Sequence, residues 1–116
     1  LEVRMKEAVM VKTMTCPWKL ESAEERAKCD TFRIPSREIR ERIVPGCFAK
    51  LIFTMADPPA GERMWVEVKK VEGKSYYGFL RNSPVSAIKE FLSYGEPVEF
   101  GPEHVCAVTF PKAKSE

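Results

Sequence analysis

A chain of 116 residues, 44% apolar and 31% charged, is long enough for one domain to bury a core without a metal or disulfides as support. Its 19 basic and 17 acidic residues leave a formal charge of +2, which excludes the marked basic excess common among nucleic-acid-binding modules and points to no strongly charged partner. Four cysteines, Cys16, Cys29, Cys47 and Cys106, stand far apart with no C-x-x-C pair, so the pattern predicts thiols rather than a zinc site or a redox dithiol, and no metal or cofactor is expected. No apolar run is long enough to span a bilayer and no secretory leader pattern is present, so the chain reads as a soluble cytoplasmic protein.

Residues 1–18 show loose alternation at Val3, Met5, Val9 and Val11 and are expected to form an N-terminal tail or an added strand. Residues 19–110 read as a single globular domain, and residues 111–116 as a disordered C-terminal tail. Within the domain, Ser22 is placed as the N-cap of a short amphipathic helix over residues 23–28, with acids in its first turn. Trp18 and Leu20 are expected to anchor that helix on a sheet. The segment 30–35 is extended, since the residue before Pro35 is pushed out of the α region. Ser36 then caps a second helix over residues 37–43. Ile39 and Ile43 fall on one face, and Arg37, Glu38, Arg40, Glu41 and Arg42 are expected to face water until Pro45-Gly46 stops the helix.

Residues 47–55 are nearly continuous in apolar residues and predict a central strand covered on both sides. A loop follows over residues 56–61. The clearest signal lies beyond it. Met64, Val66 and Val68 alternate with Trp65, Glu67 and Lys69, a period of two that turns one row inward. Glu72-Gly73-Lys74 reverses the chain, and residues 75–80 resume as a partner strand rich in aromatic residues. Residues 81–84 end this hairpin, because proline cannot donate to a ladder and Asn and Ser bond their own backbone in turns. Ala87, Ile88, Phe91 and Leu92 then suit a turn or two of helix over a barrel end. Short strands follow at residues 98–100 and 105–110. The resulting order predicts an α+β domain: a strongly bent antiparallel sheet or SH3-like small barrel with two short N-terminal helices.

Ile34-Pro35-Ser36-Arg37-Glu38, Pro45-Gly46 and Lys50-Leu51-Ile52-Phe53 lead into residues 61–68. These are followed by Gly78-x-Leu80-x-Asn82-x-Pro84-Val85, Gly95-Glu96-x-Val98-Glu99-Phe100 and Gly101-Pro102-Glu103-His104-Val105. In this combination the chain resembles a bacterial family catalogued as domain of unknown function 2314, over roughly residues 31–106. It departs from the family pattern at Arg81, where an aspartate is usual, and in the longer segment 87–94. The resemblance implies a domain boundary but no catalytic residue, cofactor or partner.

Two sets of residues are candidates for function. Trp65, Lys69, Tyr77, Phe79 and Arg81, with Lys70 and Lys74 beside them, form an aromatic and basic face if they occupy the outer rows of the hairpin. The alternation equally allows Tyr77 and Phe79 to line the interior. Asn82 is a turn residue whose side chain can also present a recognition edge. His104, the sole histidine, is flanked by Glu103 and would share a strand face with Cys106, as a base and a nucleophile would. The separation of such side chains on a strand, about 6 to 7 Å, suits a dyad poorly. The sequence therefore predicts a non-catalytic interaction module that binds a protein partner. The alternatives are RNA or single-stranded nucleic-acid binding through the hairpin face and a small-molecule enzyme site around His104. Strand addition along residues 98–110 is a route to dimers.

Overall fold

The computed structural model describes residues 16–29 and 31–111. The expectations for residues 1–15, for Asp30 and for residues 112–116 lie outside the described residues. The elements run β1 (Trp18–Leu20), α1 (Ala23–Arg26), α2 (Arg37–Arg40), β2 (Phe48–Ala56), β3 (Pro59–Glu72), β4 (Ser75–Leu80), a 3₁₀ turn (Ala87–Glu90), β5 (Pro97–Phe100), a second 3₁₀ turn (Pro102–His104) and β6 (Val105–Thr109). All six strands belong to one antiparallel sheet ordered β1-β2-β3-β4-β5, and β6 returns to pair with β2. The sheet is strongly curled into a half-barrel, the bent antiparallel architecture that the order of short strands and turns predicts.

β2 is the central strand because it is the one segment apolar on both faces. β3 pairs with it from Phe48↔Glu67 to Ala56↔Pro59, while β1 and β6 share its other edge, β1 at Met55 to Phe53 and β6 at Phe48 to Leu51. Leu51, Ile52 and Phe53 are all buried. Ala49, Leu51, Phe53 and Met55 point into the concave side with Met64, Val66, Val68, Tyr76, Leu80, Val98, Phe100 and Val105, forming the main core. A smaller cluster of Ala23, Ile52 and Cys106, with Phe32 and Ile34 against it, sits where α1 and the following segment cover part of the convex side.

Two bulges curl the sheet. One falls at Lys50/Leu51 opposite β6, the other between Val68 and Lys70 opposite β4. A bulge bends its strand and sharpens the right-handed twist. At the second one β4 runs so close to β3 that a Cβ on Gly78 would lie 2.0 Å from the Glu67 carbonyl oxygen. Only glycine fits there. Gly73, at φ +59°, supplies the left-handed residue of the β3–β4 turn.

The concave side is closed at both ends by short segments. Ile88 and Leu92 enter the core near the start of β3, where Glu62 accepts hydrogen bonds from the Val85 N–H (3.0 Å), the Ser86 N–H (2.7 Å) and the Ser86 hydroxyl (2.5 Å). Burying Ile88 contributes about 2 kcal/mol. At the other end, Ile43 and Cys47 join the core, Gly46 N–H donates to the Val68 carbonyl, and Tyr76 Oη donates to the Arg40 carbonyl at 2.8 Å.

Several expectations are corrected by tertiary contacts. Trp18 and Leu20 do pack on the sheet just before the first helix, but as part of a strand, β1, with Trp18 5.4 Å from the Phe53 ring. Both N-terminal helices begin at the serines identified, with Ser22 accepting from the Glu25 N–H and Ser36 from the Ile39 N–H. The second helix is only Arg37–Arg40; Arg37, Glu38, Glu41 and Arg42 face water and Ile43 is buried as expected, but Ile39 is 38% exposed while Arg40 is 5% exposed. Arg40 turns inward because it finds acceptors there, the Pro35 and Pro102 carbonyls at 2.8 Å each and Glu24 at 2.7 Å. The loop at residues 56–61 shrinks to a turn at Asp57-Pro58, since Pro59 begins β3, a position a strand tolerates. The segment after Pro84 makes one 3₁₀ turn capped by Ser86, which turns Ile88 and Leu92, with Ala87 beside them, onto the core and leaves Phe91 exposed.

Candidate interaction surface

Period-two geometry decides where the hairpin aromatics go. Tyr76, Gly78 and Leu80 are buried, so Tyr77, Phe79 and Arg81 take the opposite, convex side. Val66↔Leu80 and Glu67↔Phe79 pairing puts Trp65 and Glu67 on that side as well, and the bulge brings Lys70 opposite Tyr77 with Lys69 adjacent. Of the two placements the alternation allowed, the outer one is found. The inward ring is Tyr76, which packs on Phe100 at 5.3 Å between centroids.

On this face the rings carry cations. Arg81 lies 5.7 Å from the centroids of both Phe79 and Tyr94, and Lys70 lies 5.6 Å from Tyr77. Glu67 stands between Lys69 (3.0 Å) and Arg81 (2.9 Å). Its carboxyl is held below the usual range, first by the Lys69 hydrogen bond and then by that from Arg81. Beside these groups a groove of about 440 Å³ runs between Lys69, Lys70, Tyr77, Phe79, Pro97 and Glu99. It opens on the convex side because side chains of neighbouring strands diverge where a sheet curls away from them. Phe48, Phe79 and Tyr94 all expose more than a third of their surface here. An exposed aromatic set of this kind with cations at its rim can desolvate an apolar side chain and hold a polar one.

The other candidates lie elsewhere or have internal partners. Asn82 presents no recognition edge through its oxygen, because Oδ1 accepts the Trp65 N–H at 2.6 Å and so fixes the end of the hairpin. His104 sits in the 3₁₀ turn before β6 rather than on the strand, so the period-two argument pairing it with Cys106 does not apply. Its Nδ1 accepts the Gly101 N–H at 3.0 Å, and Nε2 is 3.8 Å from Glu103. It lines a shallow hollow of about 270 Å³ with Lys74, Ser75, Glu99 and Glu103. Cys106 donates to the Lys50 carbonyl at 3.2 Å and packs with Ala23 and Ile52; burial pushes its thiol up, away from thiolate chemistry. The edge of β5 is short, with Pro97 at one end and the Gly101 N–H taken by His104 beyond the other, which blunts it for strand addition. The second half of that expected edge, β6, is paired with β2.

Sequence reasoning missed Phe48, Tyr94, Pro97 and Glu99. Pro97 and Glu99 alternate with buried Val98 and Phe100, a legible signal in a four-residue strand. Phe48 was hidden in the apolar run of β2, and Tyr94 reaches the face only because its loop folds back, with the Gly95 N–H on the Leu80 carbonyl. Among the described residues, no group of three or more His, Cys, Asp or Glu can hold a metal ion, and no helix is long and apolar enough to cross a membrane. No family model, curated protein or solved structure matches the chain.

Proposed function

We propose that this chain is a non-catalytic module that binds a protein partner through the convex face of the β3–β4 hairpin, within a bacterial cytoplasmic protein related to the domain of unknown function 2314. The observation that carries this reading is the groove between Tyr77, Phe79 and Pro97, rimmed by Lys69, Lys70 and Glu99. It combines aromatic surface with charges of both signs, a combination suited to protein recognition. An SH3-like barrel is the finer description favoured by the strand order. β2 to β5 form an antiparallel meander, a single 3₁₀ turn follows, and β6 returns along β2.

Nucleic-acid binding is the second reading, favoured by the cations seated on Tyr77 and Phe79. Retention of partners from bacterial lysate by wild type and by a Trp65→Ala/Tyr77→Ala variant, with and without nuclease, separates the two. The expected result is a nuclease-resistant protein that the folded variant loses. Retention that disappears with nuclease supports the second reading. A partner kept equally by both forms refutes the assignment to this face.

A further inference from the structure

The convex face carries two cations that the hairpin alone does not reveal. Lys50 pairs with Trp65 across β2 and β3, and Arg63 lies one row along, opposite Ile52. The Lys50 ammonium is 5.4 Å from the Trp65 ring centroid, and the Arg63 guanidinium is 5.2 Å from that of Phe32. Both are close enough to act electrostatically on the same buried thiol, Cys106, so the two charges converge over one patch. Among the described residues neither has a carboxylate partner. That sets them apart from Lys69 and Arg81, which share Glu67, and from Lys70, which has Glu72. Lys50, Arg63, Lys69 and Arg81 are thus set against Glu67 on this face, while Glu21 and Glu62, which line a hollow with Arg63, are engaged by Arg26 and by the Val85 and Ser86 donors, in a chain whose formal charge is only +2. Like charges gathered this way repel until an anion joins them.

We propose that this face takes an acidic peptide: an extended protein segment whose carboxylates seat on Lys50 and Arg63 and whose apolar side chain enters the groove between Tyr77, Phe79 and Pro97. The inference rests on the interaction-module reading and names its partner's chemistry. Charge sets the direction in which the segment lies. The far rim of the groove is Glu99, which repels an anion, while the β2 side offers Lys50 and Arg63. From Lys50 to Phe79 is two strand spacings across and two residues along the ladder, about 12 Å, a distance an extended chain covers in about four residues. An acidic pair followed by an apolar residue at that interval fits the face. The ring faces of Trp65, Tyr77 and Phe79 already hold Lys50, Lys70 and Arg81, which leaves less open ring for stacking bases than for side-chain contact at the edges.

The test is fluorescence anisotropy with a labelled peptide about ten residues long, acidic at its N-terminal end and carrying Leu-Phe at the other, a length that spans the face. Controls are the same peptide with glutamine for glutamate, the peptide in reversed order, and a labelled oligouridine. Wild type is expected to bind the acidic peptide in preference to the glutamine form, and Lys50→Glu/Arg63→Glu to bind it on the order of tenfold or more weakly. Because charge reversal can disturb folding, Lys50→Gln/Arg63→Gln is measured alongside, with thermal melting as the check; it too is expected to lose the preference. Equal binding of the acidic and glutamine peptides overturns the proposal. If that equal binding is still lost in Tyr77→Ala/Phe79→Ala, the interaction-module reading survives while the acidic partner does not. Tighter binding of oligouridine than of the peptide, or no binding of either peptide, also overturns it.

Discussion

Arg40→Met is the most informative single change to the fold. The wild-type side chain is 6% exposed and holds two backbone carbonyls, Pro35 and Pro102 at 2.8 Å each, together with Glu24 at 2.7 Å. It thereby joins the α2 segment to the 3₁₀ turn before β6, a link of 62 residues in sequence. Methionine keeps most of the volume and removes every donor. Hydrogen bonds from a charged donor contribute about 1.5 to 3 kcal/mol each, and a buried carbonyl left without a partner costs about 1 to 3 kcal/mol. Against this, the guanidinium no longer has to be stripped of water, which returns part of the loss. Glu24 is not orphaned, because Arg37 also bonds it. The net expectation is a loss of about 3 kcal/mol, or roughly 12 °C in Tm for a chain of this size.

Urea unfolding followed by tryptophan fluorescence measures it, since Trp18 packs on Phe53 in the core. Arg42→Met is the internal control. Its pair with Glu38 is an exposed i,i+4 bridge and is expected to contribute less than about 0.5 kcal/mol. Arg40→Met losing under about 1 kcal/mol at unchanged m-value, or matching Arg42→Met, would refute the reasoning that buried geometry rather than charge count sets the cost. The loss also depends on pH. The Glu24 carboxyl is held below its usual value by the Arg40 hydrogen bond and then by Arg37. A depressed carboxyl contributes stability above its unfolded pKa, and that contribution disappears as pH falls through the folded value. The difference between wild type and Arg40→Met is therefore larger at neutral pH than below about pH 3, under the unfolded carboxylate value.

Four further outcomes are expected. Gly78→Ala places a methyl carbon against the Glu67 carbonyl and is expected to destabilise by about 3 kcal/mol or more, read in the same urea assay; a neutral result would mean the two strands do not approach as described. Glu62→Gln is expected to cost about 1 to 2 kcal/mol at neutral pH, since a neutral amide accepts the Val85 and Ser86 donors more weakly. Burial raises the Glu62 pKa, but the Ser86 hydroxyl and the two N–H donors outweigh it, so the folded value is depressed and the wild-type advantage fades in acid as pH drops through it. Tyr77→Ala/Phe79→Ala is expected to change stability by less than about 1.5 kcal/mol, because both rings lie on the outer face, and a core-sized loss would contradict that placement. In native conditions a thiol reagent is expected to modify the exposed Cys16 quickly and Cys47 and Cys106 only on unfolding, with mass spectrometry as the readout.

Much of this fold is legible in the sequence where one local rule suffices. Alternation at Met64, Val66 and Val68 identifies the inward row of β3, the nearly continuous apolar run identifies β2 as central, and Gly73 marks the reversal between β3 and β4. Ser22 and Ser36 mark both helix starts, because a cap is decided within four consecutive residues and needs no distant partner. The candidate surface is half legible. The sequence shows that Trp65, Glu67 and Lys69 share a row, but a period of two cannot say which row of the 75–80 strand is outside, since aromatic residues stand at Tyr76, Tyr77 and Phe79 alike. Pairing with β3 and the bulge opposite Val68 decided that.

Arginine in a four-residue helix shows the same division. The sequence of α2 determined a capped, charged turn, and nothing in its pattern separates Arg40 from Arg37 or Arg42. Only the tertiary structure could, because the acceptors that draw Arg40 inward come from Glu24, Pro35 and Pro102, three places brought together by the curl of the sheet. The same holds for Lys50 and Arg63, which the sequence leaves 13 positions apart and β2–β3 pairing sets on neighbouring rows of one face. By itself the sequence determined the strands from β2 onward, the turns between them and the helix caps, since local sterics and hydrogen bonding act over a few residues. Which side chains meet, and so where a partner can bind, was decided by long-range pairing, since contact between distant residues depends on the register and curvature of the whole sheet.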